Sequence, residues 1–231
     1  MILHLPQLLS PDEVLSARAC LGDEARWIDG RSSAGAQALA QKHNLQLAQD
    51  SDSCRPLQSL VLAALQRDPQ LLAAALPKQV FAPLFNRYDS AHSHYGPHID
   101  GAVLRSHSAQ GLPQWVRSDL SCTVFLSDPQ DYDGGELCVQ DHGGERRFKL
   151  AAGDAVLYPG TRVHEVTPVT RGVRLASFFW IESMVRSEEQ RRILYDLDMN
   201  LLKLRAQWGE TAETTALTGV YHNLLRQWAC T

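Results

Sequence analysis

The feature that most constrains the fold is a series of short β-prone segments between residues 78 and 183. Turns rich in Gly, Pro and Asp separate the segments, which are themselves rich in β-branched and aromatic residues. The β-prone segments read VFAPLFNRY, LSCTVFLS, GELCVQ, RRFKL, DAVLYP, VHEVTPV and VRLASFFWI. Many short strands with such separators are typical of a β-sandwich or a jelly roll. We therefore predict a mainly β core domain over residues 78–183.

Helical patterns flank this core on both sides. Residues 1–77 contain a helix start at Ser10, followed by a proline and two acidic residues, and a Leu- and Ala-rich stretch from Leu57 to Leu76 that a proline divides into two helices. Residues 184–231 contain leucines at helical spacing after the capping residue Ser187. The sequence predicts a helical N-terminal region packed on the core and a helical C-terminal extension.

Composition restricts the classes of partner. The chain has 22 Lys and Arg against 26 Asp and Glu, a net charge of -4. Proteins that bind nucleic-acid backbones usually carry a net positive charge. No apolar run reaches the length of a membrane span. The five cysteines are scattered and form no C-x-x-C, as expected of reduced thiols. We expect a cytoplasmic protein with no nucleic-acid or membrane partner.

The central motif is His98-Ile99-Asp100. On a strand, residues i and i+2 face the same side, so an imidazole and a carboxylate project together. A third candidate, His164, lies in the strand-like run RVHEV. Two histidines and one carboxylate on one face of a metal leave the opposite face open, which is the ligand set of non-haem Fe(II) oxygenases. The sequence therefore predicts a metal site formed by His98, Asp100 and His164.

Arg174 follows His164 on the next strand-like run. The turn residues 168–172 predict a hairpin that places Arg174 near His164 and deeper in the barrel, where a lone guanidinium needs an anion. Fe(II) with two neutral imidazoles and one carboxylate carries about +1, and a 2-oxoglutarate dianion brings the site to about -1. The distal carboxylate of 2-oxoglutarate then needs a partner, and Arg174 is suited to pair with it.

Four stretches of the chain also carry a family resemblance. They read FNRYDSAHSHYGPHID, DLSCTVFLSDPQDYDGGEL, LAAGDAVLYPGTRVHEVTPVTRGVRLASFFWIESMVR and RRILYDLD. With them the sequence resembles, over nearly its whole length, the PKHD-type hydroxylases, a bacterial branch of the prolyl-4-hydroxylase-like Fe(II)/2-oxoglutarate dioxygenases. The resemblance implies a double-stranded β-helix core, Fe(II) held by His98, Asp100 and His164, and 2-oxoglutarate bound by Arg174.

The resemblance further implies the reaction. We expect hydroxylation of an unactivated C–H bond, coupled to decarboxylation of 2-oxoglutarate to succinate, with O2 as oxidant and L-ascorbate as a supporting reductant. Tyr88 is implied to donate its hydroxyl to the cosubstrate; the role of Tyr95 stays open. Some relatives also use a tyrosine on the strand that here reads CTVFLS, where Val124 or Phe125 stands instead. The family stretch KNNxQL appears as KHNLQL at residues 42–47, and we assign it no chemistry.

Several alternatives remain open at this stage. His92, His94 and His98 could form a cupin-like metal site, or the chain could be a non-catalytic jelly-roll binding module. A related oxygenase acting on nucleobases is disfavoured by the net charge. The substrate is a small molecule or a peptide: peptidyl proline, a free amino acid and an iron-chelating small molecule all fit. Residues 101–117 could form a lid, and the apolar stripe at 193–204 is either an internal packing face or a homodimer surface.

Overall fold

The computed structural model describes residues 1–33, 35, 39–107 and 113–231. The helices in this part of the chain are α1 (Pro11–Cys20), α2 (Cys54–Arg67), α3 (Pro69–Ala75), α4 (Glu188–Trp208) and α5 (Ala212–Trp228). The strands are β1 (Leu3–Leu5), β2 (Trp27–Asp29), β3 (Lys42–His43), β4 (Leu45–Leu47), β5 (Pro77–Val80), β6 (Leu84–Tyr88), β7 (His94–His98), β8 (Val103–His107), β9 (Pro113–Arg117), β10 (Leu120–Phe125), β11 (Tyr132–Gly134), β12 (Leu137–Asp141), β13 (Gly144–Phe148), β14 (Ala155–Pro159), β15 (His164–Val166), β16 (Val169–Gly172) and β17 (Arg174–Ser183).

The strands form two principal sheets. The large sheet follows the order β1-β14-β10-β17-β6-β4-β2, with β5 also paired to β17, and the small sheet follows the order β13-β12-β15-β7-β3. Two further strand pairs, β11-β16 and β8-β9, stand outside these sheets. Every pairing among the described residues is antiparallel. The arrangement is mainly β with flanking helices and fits the jelly-roll core that the sequence predicts.

The central strand β10 shows how the large sheet separates a core from a cavity. Leu120 and Val124 belong to the hydrophobic cluster that α1, α2 and α3 form against the outer face of the sheet. Ser121 and Thr123 alternate with them and line a cavity on the inner face. Because side chains alternate along a strand, one face can be apolar and packed while the other carries polar groups toward the small sheet.

The N-terminal region contains the predicted helices and, in addition, four strands. Ser10 and Glu13 form a reciprocal capping box at the start of α1, and the carboxylate of Asp68 caps α3 where the sequence predicts a break. The strands β1 to β4 have only two or three residues each and add edges to the two sheets. Segments this short show no measurable alternation, so periodicity alone does not reveal them.

Two local expectations differ from the structure. His164 and Arg174 do not lie on one hairpin: β15 pairs with β7 and β12 in the small sheet, whereas β17 pairs with β6, β10 and β5 in the large sheet. The strand between them, β16, pairs with β11 instead. The stretch 101–117, which is not among the β-prone segments that the sequence indicates, contains the β8-β9 hairpin. Its predicted lid role falls partly on residues 108–112, outside the described residues.

The C-terminal helices pack beside the core through a separate apolar cluster. Leu194 is fully buried in it with Leu76 and Val185, and residues of α5 cover the cluster. The stripe at 193–204 divides between two faces, since Leu201 is also buried while Ile193 is half exposed. Among the described residues, none of the helices combines the length and the apolar character needed to cross a membrane.

Candidate metal and cosubstrate site

The structure brings the three predicted metal ligands together. His98 ends β7 and is the direct register partner of His164 on β15, and Asp100 follows two residues after His98. Nε2 of His98 lies 3.9 Å from Asp100 Oδ1, and Nε2 of His164 lies 3.6 Å from Asp100 Oδ2. One ligand atom from each residue falls within 4.8 Å of the other two. Two imidazole nitrogens and one carboxylate at this spacing fit a single divalent ion.

Neighbouring groups fix the orientation of each candidate ligand. Nδ1 of His98 donates to the carbonyl of Gly96 at 2.8 Å, and Nδ1 of His164 donates to the carbonyl of Arg162 at 3.1 Å. Both rings therefore present Nε2 toward the shared space. The Ser121 hydroxyl donates to Asp100 Oδ2 at 2.7 Å and holds the carboxylate. The sequence analysis did not predict this role of Ser121, because the contact with Asp100 depends on which face of β10 points into the cavity.

The environment keeps His98 in the form that binds metals. Burial, and then the neighbouring His164, lower the pKa of His98 to about 4. The ring of Tyr95 stacks on that of His98 with centroids 3.5 Å apart and an angle of 12° between the planes. Tyr95, whose role the sequence left open, therefore supports a ligand ring from one side. A neutral, rigidly held imidazole is ready to accept a metal ion without losing a proton.

Arg174 lies in the same cavity, which has a volume of about 570 Å³ and opens between the two sheets. Its side chain is 1% exposed, and all three guanidinium nitrogens lack a hydrogen bond of standard geometry to any described residue. The guanidinium carbon lies 5.2 Å from the ring centroid of Tyr88 and 5.4 Å from that of Phe125. Burial of a cation without a carboxylate partner costs free energy, and an anion that binds beside the cation offsets this cost.

Tyr132 is a further buried polar group beside Arg174 that sequence reasoning missed. Its hydroxyl lacks a hydrogen bond of standard geometry to any described residue. Burial raises the pKa of Tyr132, and the charge of Arg174 together with a looser hydrogen-bonding contact to its guanidinium opposes the rise. Gly135, at φ 64°, permits this packing, because a Cβ there would lie 2.9 Å from the Tyr132 ring and 3.0 Å from Arg174 Cδ. Phe125, whose ring also lies beside the Arg174 guanidinium, offers no hydroxyl.

Tyr88 has polar neighbours that also face the cavity. The amide nitrogen of Asn86 donates to the Tyr88 hydroxyl at 3.4 Å. Burial raises the pKa of Tyr88, so the phenol keeps its proton and can donate it in a hydrogen bond. Asn44 is 2% exposed, lines the cavity, and has no hydrogen bond of standard geometry from its side-chain amide to a described residue.

The two other histidines of the motif region point to other partners. His92 lies 3.3 Å from Asp89 through Nδ1, and the ring of His94 stacks on that of His43 at 5.2 Å between centroids. Neither belongs to a metal-compatible group among the described residues. The geometry therefore favours the triad of His98, Asp100 and His164 over a cupin-like site.

Comparison with known proteins identifies the family. The family model of the 2OG-Fe(II) oxygenase superfamily matches residues 83–182. A second family model, that of the PKHD-type hydroxylase C-terminal domain, matches residues 188–229. The chain is 57% identical to a PKHD-type hydroxylase of Verminephrobacter eiseniae (strain EF01-2) over 231 residues, all of both chains. It is 50% identical to the PKHD-type hydroxylase YbiX of Escherichia coli (strain 55989 / EAEC) over 229 residues, 99% of each.

A solved structure supports the fold independently of sequence. The prolyl hydroxylase of Trichoplax adhaerens, in complex with a hypoxia inducible factor oxygen degradation domain peptide fragment, superposes with a TM-score of 0.54 at 17% identity. The match covers 84% of this chain and 86% of that one. At this identity the likeness concerns the fold alone. Together with the whole-length relatives, these findings show that the chain belongs to the PKHD-type hydroxylases, within the 2OG-Fe(II) oxygenase superfamily.

Proposed function

We propose that the chain hydroxylates a C–H bond of a small molecule or peptide, using Fe(II) held by His98, Asp100 and His164 and a 2-oxoglutarate held by Arg174. The observation that carries this assignment is the buried guanidinium of Arg174, which has no carboxylate partner among the described residues and lies in the cavity that also contains the triad. Fe(II) alone does not call for such a cation. A dicarboxylate that reaches from the metal to the guanidinium requires both.

The protein residues have separate tasks in this proposal. Arg174 forms a bidentate pair with the distal carboxylate of 2-oxoglutarate, and the hydroxyl of Tyr132 donates to that same carboxylate. Tyr88 donates a hydrogen bond to the cosubstrate nearer the metal. Gly96 and Arg162 hold the two imidazoles through their carbonyls, and Ser121 holds Asp100.

The cavity walls complete the assignment. When bound, Fe(II) with 2-oxoglutarate and O2 supplies the oxidising power for C–H hydroxylation, and 2-oxoglutarate leaves as succinate and CO2. Tyr158 packs edge-on against the His164 ring, with centroids 5.1 Å apart, and Leu137 and Val166 also line the cavity. These side chains limit the access of water to the triad and keep the ligand rings in place.

The remaining features of the proposal rest on the family resemblance and on composition. They are L-ascorbate as a supporting reductant, a cytoplasmic location and the absence of a nucleic-acid partner. The free thiols, two exposed and three buried, agree with a reducing compartment. A homodimer through α4 is also proposed, because Ile193, Leu202 and Trp208 expose apolar surface there. Sedimentation at several protein concentrations tests the dimer.

Succinate formation tests the central assignment. Protein loaded anaerobically with Fe(II) and then exposed to O2 with 2-oxoglutarate is expected to form succinate slowly without substrate and faster with a substrate from a panel of small molecules and peptides. Asp100→Ala is expected to stop succinate formation, whereas His92→Ala is expected to retain it. Loss on His92→Ala with retention on Asp100→Ala would instead favour the cupin-like alternative. Absence of both metal binding and turnover would favour a non-catalytic binding module.

A further inference from the structure

The two imidazoles of the triad are oriented by carbonyls that lie in different kinds of backbone. Gly96, whose carbonyl accepts from His98, lies inside β7, a strand that pairs with β15 on one side and with β3 on the other. Arg162, whose carbonyl accepts from His164, lies in the turn between β14 and β15. A strand paired on both sides is fixed by the ladder of the sheet, whereas a turn depends more on its side-chain contacts. The orientation of His164 therefore depends on what holds Arg162.

The side chain of Arg162 joins three parts of the fold. Its Nη2 lies 3.3 Å from Oε2 of Glu188, the first residue of α4. The same nitrogen lies 2.8 Å from His142 Nε2 and 3.8 Å from Asp141 Oδ1, where β12 turns into β13. The side chain of Arg162 is 16% exposed, so solvent screens these contacts less than those of a fully exposed ion pair. The guanidinium thus ties the turn before β15 to the C-terminal helices and to the β12-β13 hairpin.

Glu188 is a well-held attachment point for this guanidinium. It directly follows Ser187, whose side chain caps α4, so the capped helix start sets its backbone. The amino group of Met1 also contacts its carboxylate, so the carboxylate lies between two cationic groups. Leu194, one turn and a half further along α4, is fully buried and fixes the helix against the rest of the chain. The position of Glu188 is therefore transmitted to Arg162.

We propose that Arg162 is a positioning residue of the metal site and that Glu188 acts through it, so that the C-terminal helices help to orient the third metal ligand. The proposal rests on the proposed function, because it needs His164 to bind the metal. Without its side-chain contacts, the turn can carry the Arg162 carbonyl away from His164 Nδ1, and a ligating imidazole that loses its acceptor loses orientation and basicity. The region 188–229, which matches the PKHD-type C-terminal domain, then has a task at the metal site.

The first test reads the hydrogen bond of His164 itself. Full-length protein with ¹⁵N-labelled histidine is loaded with Zn²⁺, a diamagnetic stand-in. The Nδ1–H resonances of the two ligand rings are assigned through their contacts with Tyr95, which stacks on His98, and Tyr158, which packs on His164. In Arg162→Met we expect the Nδ1–H of His164 to exchange with water at least tenfold faster than in native protein. The Nδ1–H of His98 is the internal control and should exchange at the native rate.

The second test reads the consequence for metal affinity, by competition for Ni²⁺ with a chelator. Arg162→Met should bind Ni²⁺ about tenfold more weakly than native protein, the lower end of what loss of a supporting group costs. Arg162→Lys keeps the charge and should keep most of the affinity. Glu188→Gln should weaken binding about threefold, and should add nothing further in combination with Arg162→Met. Glu189→Gln, at an exposed neighbour on the same helix turn, is the matched control and should bind as native.

Thermal unfolding of the metal-free variants separates positioning from packing. If Arg162→Met unfolds at a lower temperature but keeps native Ni²⁺ affinity and native exchange at His164, its side chain serves packing alone and the proposal is overturned. If Arg162→Met does not fold, Glu188→Gln and Arg162→Lys carry the test, and native exchange and affinity in Glu188→Gln overturn the part assigned to Glu188. Additive losses in the double variant overturn it as well.

The native protein and Asp100→Ala separate this proposal from the proposed function. If native protein binds no Ni²⁺, or if Asp100→Ala binds it as tightly as native protein, the triad is not the metal site and the proposed function fails. If the triad binds Ni²⁺ but Arg162→Met and native protein bind it alike, only the positioning role of Arg162 is overturned.

Discussion

Arg174 and Lys42 line the same cavity, but the fold holds them in different ways. Arg174 lies on β17, between β10 and β6 in the large sheet, with its guanidinium between two aromatic rings. Lys42 lies on β3, a strand of two residues at the edge of the small sheet. The interior of the large sheet therefore positions the group proposed to bind the cosubstrate. The edge of the small sheet, where β3 pairs with β7 on one side, holds Lys42 at the cavity wall.

Removal of a metal ligand is expected to have the largest effect, because Asp100 is one of three side chains that together form the proposed metal site. Asp100→Ala should weaken Ni²⁺ binding by more than about a thousandfold, because loss of a mere supporting residue already costs about 10–100-fold. Equilibrium dialysis with metal analysis measures the effect. His92→Ala is the control and should bind one equivalent. Retention of tight metal binding in Asp100→Ala would refute the triad.

Removal of Arg174 is expected to affect only the cosubstrate end. Arg174→Met should weaken 2-oxoglutarate binding to the Ni²⁺-loaded protein about a hundredfold, or about 2.7 kcal/mol, because it removes a buried bidentate ion pair. Calorimetric titration measures this. The same variant should unfold at equal or higher temperature in the absence of 2-oxoglutarate, since it removes a buried charge that has no carboxylate partner among the described residues. Unchanged affinity would contradict the assignment of Arg174.

Removal of the Tyr132 hydroxyl is expected to have a smaller effect in the same direction. Tyr132→Phe should weaken 2-oxoglutarate binding about fivefold to tenfold, in line with one lost hydrogen bond of about 1 kcal/mol. Binding of 2-oxobutyrate, which lacks the distal carboxylate, should not change. Tyr221→Phe on α5 is the matched control. An equal loss for both ligands would assign Tyr132 to the metal-proximal part of the site or to general packing.

The last prediction concerns the dependence of the unfolding free energy on pH rather than ligand affinity. Burial lowers the pKa of His98 to about 4, below the value of about 6.5 in an unfolded chain. Between these values the unfolded state binds more protons, so the unfolding free energy of the metal-free protein should fall as pH decreases from about 6.5 to about 4. His98→Gln should lose less stability over this window, and the exposed His222→Gln should behave as native. If the unfolding free energies of the native protein and of His98→Gln depend on pH in the same way, the lowered pKa of His98 is contradicted.

The sequence predicted the parts of the molecule that depend on local pattern. The capping box at Ser10, the break at Asp68 and the short strands of the core follow from residue type and periodicity. The proximity of His98 and Asp100 was accessible because a single residue separates them in sequence, although Asp100 lies just beyond the end of β7. The pairing of β15 with β7 was not accessible, because pairing between strands that are distant in sequence depends on tertiary packing that periodicity does not encode.

The residues that escaped prediction share one property. Ser121, Tyr132 and Lys42 carry no motif of their own, and each acquires its place through a strand pairing distant in sequence. Lys42 lies in the KHNLQL stretch, to which the sequence alone gave no chemistry. The β8-β9 hairpin was missed for another reason, since its strands are polar and lack the β-prone composition of the core.

The most direct measurement is a crystal structure of the protein with Ni²⁺ and 2-oxoglutarate. We expect one ion bound by His98, Asp100 and His164, with the distal carboxylate of 2-oxoglutarate about 3 Å from the guanidinium nitrogens of Arg174. A structure with that carboxylate bound away from Arg174 would contradict the account, as would an ion bound by other residues.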